Sequence, residues 1–163
     1  GQKLTHAHRV VAEGAENMQQ TQEIWCFSMG QPFASLACYG DKSLETRGWD
    51  LLAELEGQTA GIYVANDDWP QDPRACARLT KEAIELVATS KSRVDAEKAT
   101  LLPPGHSRGE VVATVVVGRT RLLTDDVLFE LGGWDMVAKR ACLPRMLMER
   151  NPNLHVTELS SPR

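Results

Sequence analysis

The chain predicts an α+β fold, and three observations predict it. Short runs rich in apolar, β-branched and aromatic residues recur at 23–29, 59–66 and 109–117, and runs of that length and composition read as buried strands. Segments with helical spacing and capping chemistry lie between and after them, the clearest being Asp72-Pro73 ahead of Cys76, Leu79, Ala83, Leu86 and Val87. The helical segments are unequal and do not alternate regularly with the strands. A doubly wound βαβ sheet is therefore disfavoured.

Taken in order, residues 4–19 carry Leu4, Val10, Val11 and Met18 among polar residues and read as a weak helix or a partly ordered arm, so that 1–22 stands apart from a domain over 23–163. Residues 23–29 form the first buried strand. Gln31-Pro32 opens a short helix, because the missing proline N–H has no partner in a first turn anyway, and Gly40 suits the left-handed stop after it. A second strand is predicted over 42–49 and a short helical or irregular piece over 50–56. After the strand at 59–66 and the helix from Asp72-Pro73, residues 90–107 read as an exposed connection. The whole 70–107 excursion is expected to be a solvated helical insertion, with a lid over a cleft as the alternative. Val111, Val112, Val115, Val116 and Val117 mark the strongest strand. Thr124-Asp125-Asp126 starts a helical stretch over 125–150, broken at Gly132-Gly133 and before Pro144, and 154–159 is a last short strand.

At 163 residues the chain is long enough for one well-buried core. A net charge of −4 argues against a broadly basic nucleic-acid coat, while leaving room for a local basic cleft. Cys26, Cys38, Cys76 and Cys142 show no CxxC or CxxH spacing and read as buried thiols. No apolar run approaches the roughly 18 residues of a membrane span, and the first residues carry no secretory pattern. A protein with no membrane partner, in a reducing compartment such as cytoplasm or nucleus, is the expectation. No GxGxxG or Walker sequence supports a dinucleotide or phosphate loop. His6 and His8 lack an acidic or cysteine companion, so neither a metal nor another cofactor is expected.

Residues 28–47 are the most informative stretch. Gln31, Lys42, Glu45 and Arg47 fall close together in a segment otherwise built like core, and a polar group buried there needs a partner or a ligand. In a strand, Ser43, Glu45, Arg47 and Trp49 share one face. Two readings stand. Glu45 and Arg47 form a strand-surface ion pair of little worth, or the polar set converges at the mouth of a sheet. There it would offer cationic donors to phosphate or carbonyl oxygen, a carboxylate to an amino group, and Trp49 as a stacking face.

Ser28-Met29-Gly30-Gln31-Pro32-Phe33-Ala34, followed by Gly40, Lys42, Glu45 and Arg47, resembles the signature of the ASCH domain (activating signal cointegrator homology): S-x-x-Q-P-x-A-x-L, then G-x-K-x-x-E-x-R. Residues 62–69 and 156–163 resemble the ASCH proteins related to the endothelium-overexpressed lipopolysaccharide-associated factor. In those relatives the tail continues into a closing strand. The resemblance implies a β-barrel of the PUA-like type (pseudouridine synthase and archaeosine transglycosylase), with helices packed at one end and a helical insertion. It implies a cleft beside the barrel for single-stranded RNA or a modified nucleoside, lined by Gln31, Lys42, Glu45 and Arg47, with Ser28 and Pro32 shaping its entrance.

Small bacterial ASCH proteins hydrolyse N4-acetylcytidine with a K-x-x-T-x-R strand. Lys42 and Arg47 match that pattern, and Glu45 stands at the threonine position. Binding is thus the leading expectation. The first alternative is a hydrolase of a modified nucleoside or RNA using Lys42 and Glu45. The second is a protein-interaction domain of a transcription or translation regulator. An RNA-binding surface would also join Lys42 and Arg47 to further basic residues, with Arg108, Arg119 and Arg121 as the candidates.

Overall fold

The computed structural model describes residues 7–11 and 21–163. It is an α+β fold built on one mixed sheet. The strands are β1 (Ala7–Val11), β2 (Thr21–Met29), β3 (Leu44–Arg47), β4 (Thr59–Val64), β5 (Val111–Leu122) and β6 (His155–Ser160). Five run in the order β2-β4-β5-β6-β3, and β1 adds to the outer side of β2. β2 and β4 are parallel, and every other pairing is antiparallel.

The expected barrel does not close. Among the described residues no ladder joins β2 to β3, the two strands at the ends of the five-stranded run. β3 is also shorter than the predicted 42–49. The Lys42 N–H donates to Leu36 O and the Ser43 N–H to Arg140 O, while Ser43 O accepts the Leu159 N–H of β6, so the chain just before β3 is tied partly to helical segments. Residues 7–11 correct a second expectation, since they form a strand rather than a helix. The rest of 1–20 lies outside the described residues.

The helices are α1 (Phe33–Cys38), α2 (Pro73–Val87), α3 (Arg93–Lys98), α4 (Asp125–Glu130), α5 (Trp134–Ala141) and α6 (Arg145–Glu149), with a 3-10 turn at Ala53–Leu55. Their ends follow the sequence signals. Asp72, Ser92 and Thr124 cap α2, α3 and α4 by accepting from the N–H groups of Arg74, Asp95 and Val127. Gly40 stops the α1 turn with φ +82°.

Two apolar clusters flank the sheet. One gathers Leu79, Ala83 and Val87 of α2, Val137, Ala138 and Ala141 of α5, and Leu44 and Val156 from the strands. The other gathers Phe27, Met29, Ile62, Val64, Val115, Val117 and Leu159. Helix α1 is buried between them, giving Phe33 and Leu36 to the first and Ala34 and Ala37 to the second.

The 70–107 excursion is not a solvated insertion. Leu79, Ala83 and Val87 are core, and Ala96 and Ala99, in the stretch expected to be exposed, pack in the same cluster. Lys91 further ties this region to Asp41 by an ion pair of 2.8 Å. Among the described residues no helix is long and apolar enough to cross a membrane.

Candidate functional site

Where the ladder is missing, a pocket of about 380 Å³ opens between β2 and β3, towards the small end of the roughly 300–1,000 Å³ range of ligand sites. Its wall is apolar and aromatic: Met29, Phe33, Leu143, Leu147, Met148 and Leu154, with Trp49 and Trp69. Its polar lining is Lys42, Glu45, Arg47, Ser28, Thr46 and Asn151.

Lys42 follows the α1 turn and points to the C-terminus of α5, where its Nζ donates to Ala141 O at 2.6 Å. The last carbonyls of a helix lack intrahelical partners and favour a cation. The Nζ also sits 5.4 Å from the centroid of the Phe33 ring. Lys42 is only 2% exposed, and burial holds its ammonium below the ordinary lysine value of 10.5, against the opposing pull of Glu45.

Glu45 is 6% exposed. Its Oε1 accepts the Thr46 N–H at 2.9 Å. Oε2 is closed off from solvent and has no hydrogen-bond partner among the described residues, and the Arg47 guanidinium stands 3.6 Å from it. The ion-pair reading and the pocket reading of the sequence therefore describe the same residues. Arg47 also crosses the seam, its Nη2 donating to Ser28 O at 2.5 Å, so a side chain makes the link that a ladder would otherwise make.

Trp69 is brought in by backbone. Its N–H donates to Gln31 O at 3.1 Å, and the Ala65 N–H to Met29 O. Gly30 permits this approach: a Cβ there would lie 2.8 Å from Trp69 Cβ and 2.9 Å from Trp69 N. The Trp69 ring meets Phe33 edge-on at 5.7 Å, and Trp49 and Trp69 are each 48% exposed at the pocket. Asn151 follows α6. Its Oδ1 accepts the Asn153 N–H at 3.1 Å, which turns its amide NH₂ away from that bond, and the Nδ2 is 3.7 Å from the position of a Cβ on Gly48, another lining residue.

Of the residues singled out from sequence, Ser28, Lys42, Glu45, Arg47 and Trp49 meet at this pocket, whereas Gln31 and Pro32 do not line it. Gln31 is spent on α1: its Oε1 accepts the Ser35 N–H at 3.0 Å and its Nε2 donates to Ser35 Oγ at 2.6 Å. The further basic candidates do not line it either. Arg108 pairs with Asp68 at 2.5 Å and Arg121 pairs with Glu130, and neither they nor Arg119 line the pocket.

Phe33 and Trp69 stood inside stretches already noted, but nothing set them apart from core. Asn151 carried no sequence signal. Among the described residues no three His, Cys, Asp or Glu side chains gather as metal ligands, and the side chains of His6 and His8 lie outside those described. All four cysteines are thiols, and burial raises Cys38 and Cys142 to about 11. No protein-family model matches the chain.

Proposed function

We propose that the seam pocket binds one base, either of a modified nucleoside or of single-stranded RNA. The observation that carries this reading is the pairing of aromatic walls with a charged floor in a pocket of about 380 Å³. Trp49 and Trp69 offer faces on which a flat base gains stacking energy, while Lys42 and Arg47 supply donors for its oxygens. Unpaired nucleotides fit such a site because their edges and faces are free. The likeness of residues 28–47 to the ASCH signature supports the same reading. With it goes a PUA-like architecture whose barrel stays open at the β2–β3 seam.

The test is a titration of nucleosides and short single-stranded RNA into the protein and into Trp69→Ala. Binding that weakens in the variant is expected. Because Arg108 and Arg121 are already paired, the salt dependence should be shallow, near −0.7 in log–log slope per phosphate contacted, with few contacts. Absence of binding to both ligand types would end the proposal.

A second reading is favoured by Lys42, an amine with a lowered proton affinity against an apolar pocket. In it, Lys42 Nζ donates to the carbonyl oxygen of a base-linked amide, and Glu45, once Arg47 uncovers its Oε2, takes a proton from water and passes it to the leaving nitrogen. Water adds across the C–N bond, releasing a carboxylate and the free amino base. Acetate release from N4-acetylcytidine, lost in a folded Lys42→Ala, is its test, and no release by the native chain dismisses it.

A further inference from the structure

The charged and amide groups that this pocket presents are unequal in kind, while the Ser28 and Thr46 hydroxyls can turn either way. The carboxylate acceptor is Glu45, whose Oε1 is engaged by the Thr46 N–H and whose Oε2 is closed off behind Arg47. On the donor side stand the Lys42 ammonium, the Arg47 guanidinium and the Asn151 amide. The Asn151 donor is fixed in sense: with Oδ1 held by the Asn153 N–H, Nδ2 and its two hydrogens are the end left for a ligand, 3.7 Å from the position of a Cβ on Gly48 of the lining. No hydrogen bond from Nδ2 is made among the described residues.

Resting on the base-binding reading, we infer that the pocket selects bases by their keto oxygens. It favours oxo-bases such as hypoxanthine, guanine and uracil over adenine and cytosine, and Asn151 is a specificity-determining residue. A ring C=O placed against Asn151 Nδ2 and Arg47 receives hydrogen bonds. An exocyclic NH₂ in the same place sets donor against donor, and the base amine and the Asn151 amide that binding encloses are left without partners. Each such mismatch costs about 1–3 kcal/mol, or roughly five- to 150-fold in affinity. Glu45 in this arrangement is a positioning residue that holds the Arg47 head rather than a contact for a base amine.

Inosine and adenosine differ at the purine 6-position, keto against amino, with the accompanying change of N1 from N–H to lone pair, and make the direct probe, with uridine and cytidine as a second pair. Calorimetric or fluorescence titration of the full chain should give inosine about tenfold tighter than adenosine. In Asn151→Asp the Oδ1 bond to the Asn153 N–H is retained and the donor becomes an acceptor. The preference should then fall to near parity or invert, with the thermal midpoint reporting that the variant is folded. Equal affinity or a preference for adenosine in the native chain overturns the inference and leaves the base-binding reading standing. A keto preference untouched by a folded Asn151→Asp overturns the assignment to Asn151. Failure of every nucleoside and of single-stranded RNA to bind overturns both.

Discussion

The β4–β5–β6 side of the sheet and the β2–β3 seam solve the same problem in opposite ways. On the first side the backbone is paired through two ladders, each with one irregularity in register; Ile62, Val64, Val115 and Val117 lie buried, and the buried Thr157 hydroxyl is met by that of Thr120 at 2.7 Å. At the seam no ladder forms, one guanidinium reaches a carbonyl across the gap, and Lys42 and Glu45 are buried beside a pocket. Strand-to-strand backbone pairing leaves no room for a ligand. Its interruption creates the space, and the unpaired polar groups give that space its chemistry.

Removing apolar mass on the laddered side should have the largest effect. Ile62→Ala is expected to lose about 2–5 kcal/mol in urea or guanidinium unfolding, because Ile62 is fully buried in the second cluster. A loss under half a kcal/mol would break the contrast. At the seam, Gly30→Ala forces the Trp69 segment outward at a cost of about 1–3 kcal/mol, and the Trp69 emission should shift to the red as its ring leaves Phe33. Arg47→Met should cost about 1 kcal/mol, the toll of leaving Ser28 O without its donor in a half-open setting, and should weaken ligand binding far more than it weakens the fold.

The pH dependence separates the buried groups by sign. Burial lowers Lys42 below 10.5, so between its folded value and 10.5 the unfolded chain binds more protons and stability rises with pH. Burial raises Cys142 from 9.0 to about 11. The unfolded chain therefore loses that proton first, and stability falls from about 9 to about 11. Denaturation midpoints across this range should show Cys142→Ala flattening the fall and Lys42→Met flattening the rise. The smallest effect is expected away from both regions: Glu97→Gln breaks an exposed pair with Arg93 and should change stability by no more than about half a kcal/mol.

Much of this was legible in the chain because the signals were local. The valines of β5, the Asp72-Pro73 start of α2, the Gly132-Gly133 break and the Gly40 stop all act through neighbouring backbone, and each element stands within a few residues of its expected place. The alternation that puts Glu45 and Arg47 on one face is a property of any strand, and their 3.6 Å approach follows from it.

Long-range competition decided the rest. Gln31 has the composition of a ligand residue, yet Ser35 one turn on claims both ends of its amide. Lys42 is legible as a cation but not as one buried on the C-terminus of α5, since Ala141 is remote in sequence. The 70–107 excursion carries enough polar residues to read as solvated. Which of its faces is covered depended on α5 arriving to pack against Leu79, Ala83 and Val87.

The sequence by itself determined the α+β class, the order of the elements from β2 to α2 and from β5 to β6, and the presence of an unusual polar set at 28–47, because hydrophobic period, caps and turn residues act over a few positions. Only the tertiary structure decided that the sheet stays open between β2 and β3, that Trp69 and Asn151 join Lys42, Glu45 and Arg47 there, and that the Glu45 carboxylate is closed off behind Arg47. Those outcomes depend on which backbone and side-chain groups from distant segments satisfy one another first, and what they leave unsatisfied is the site.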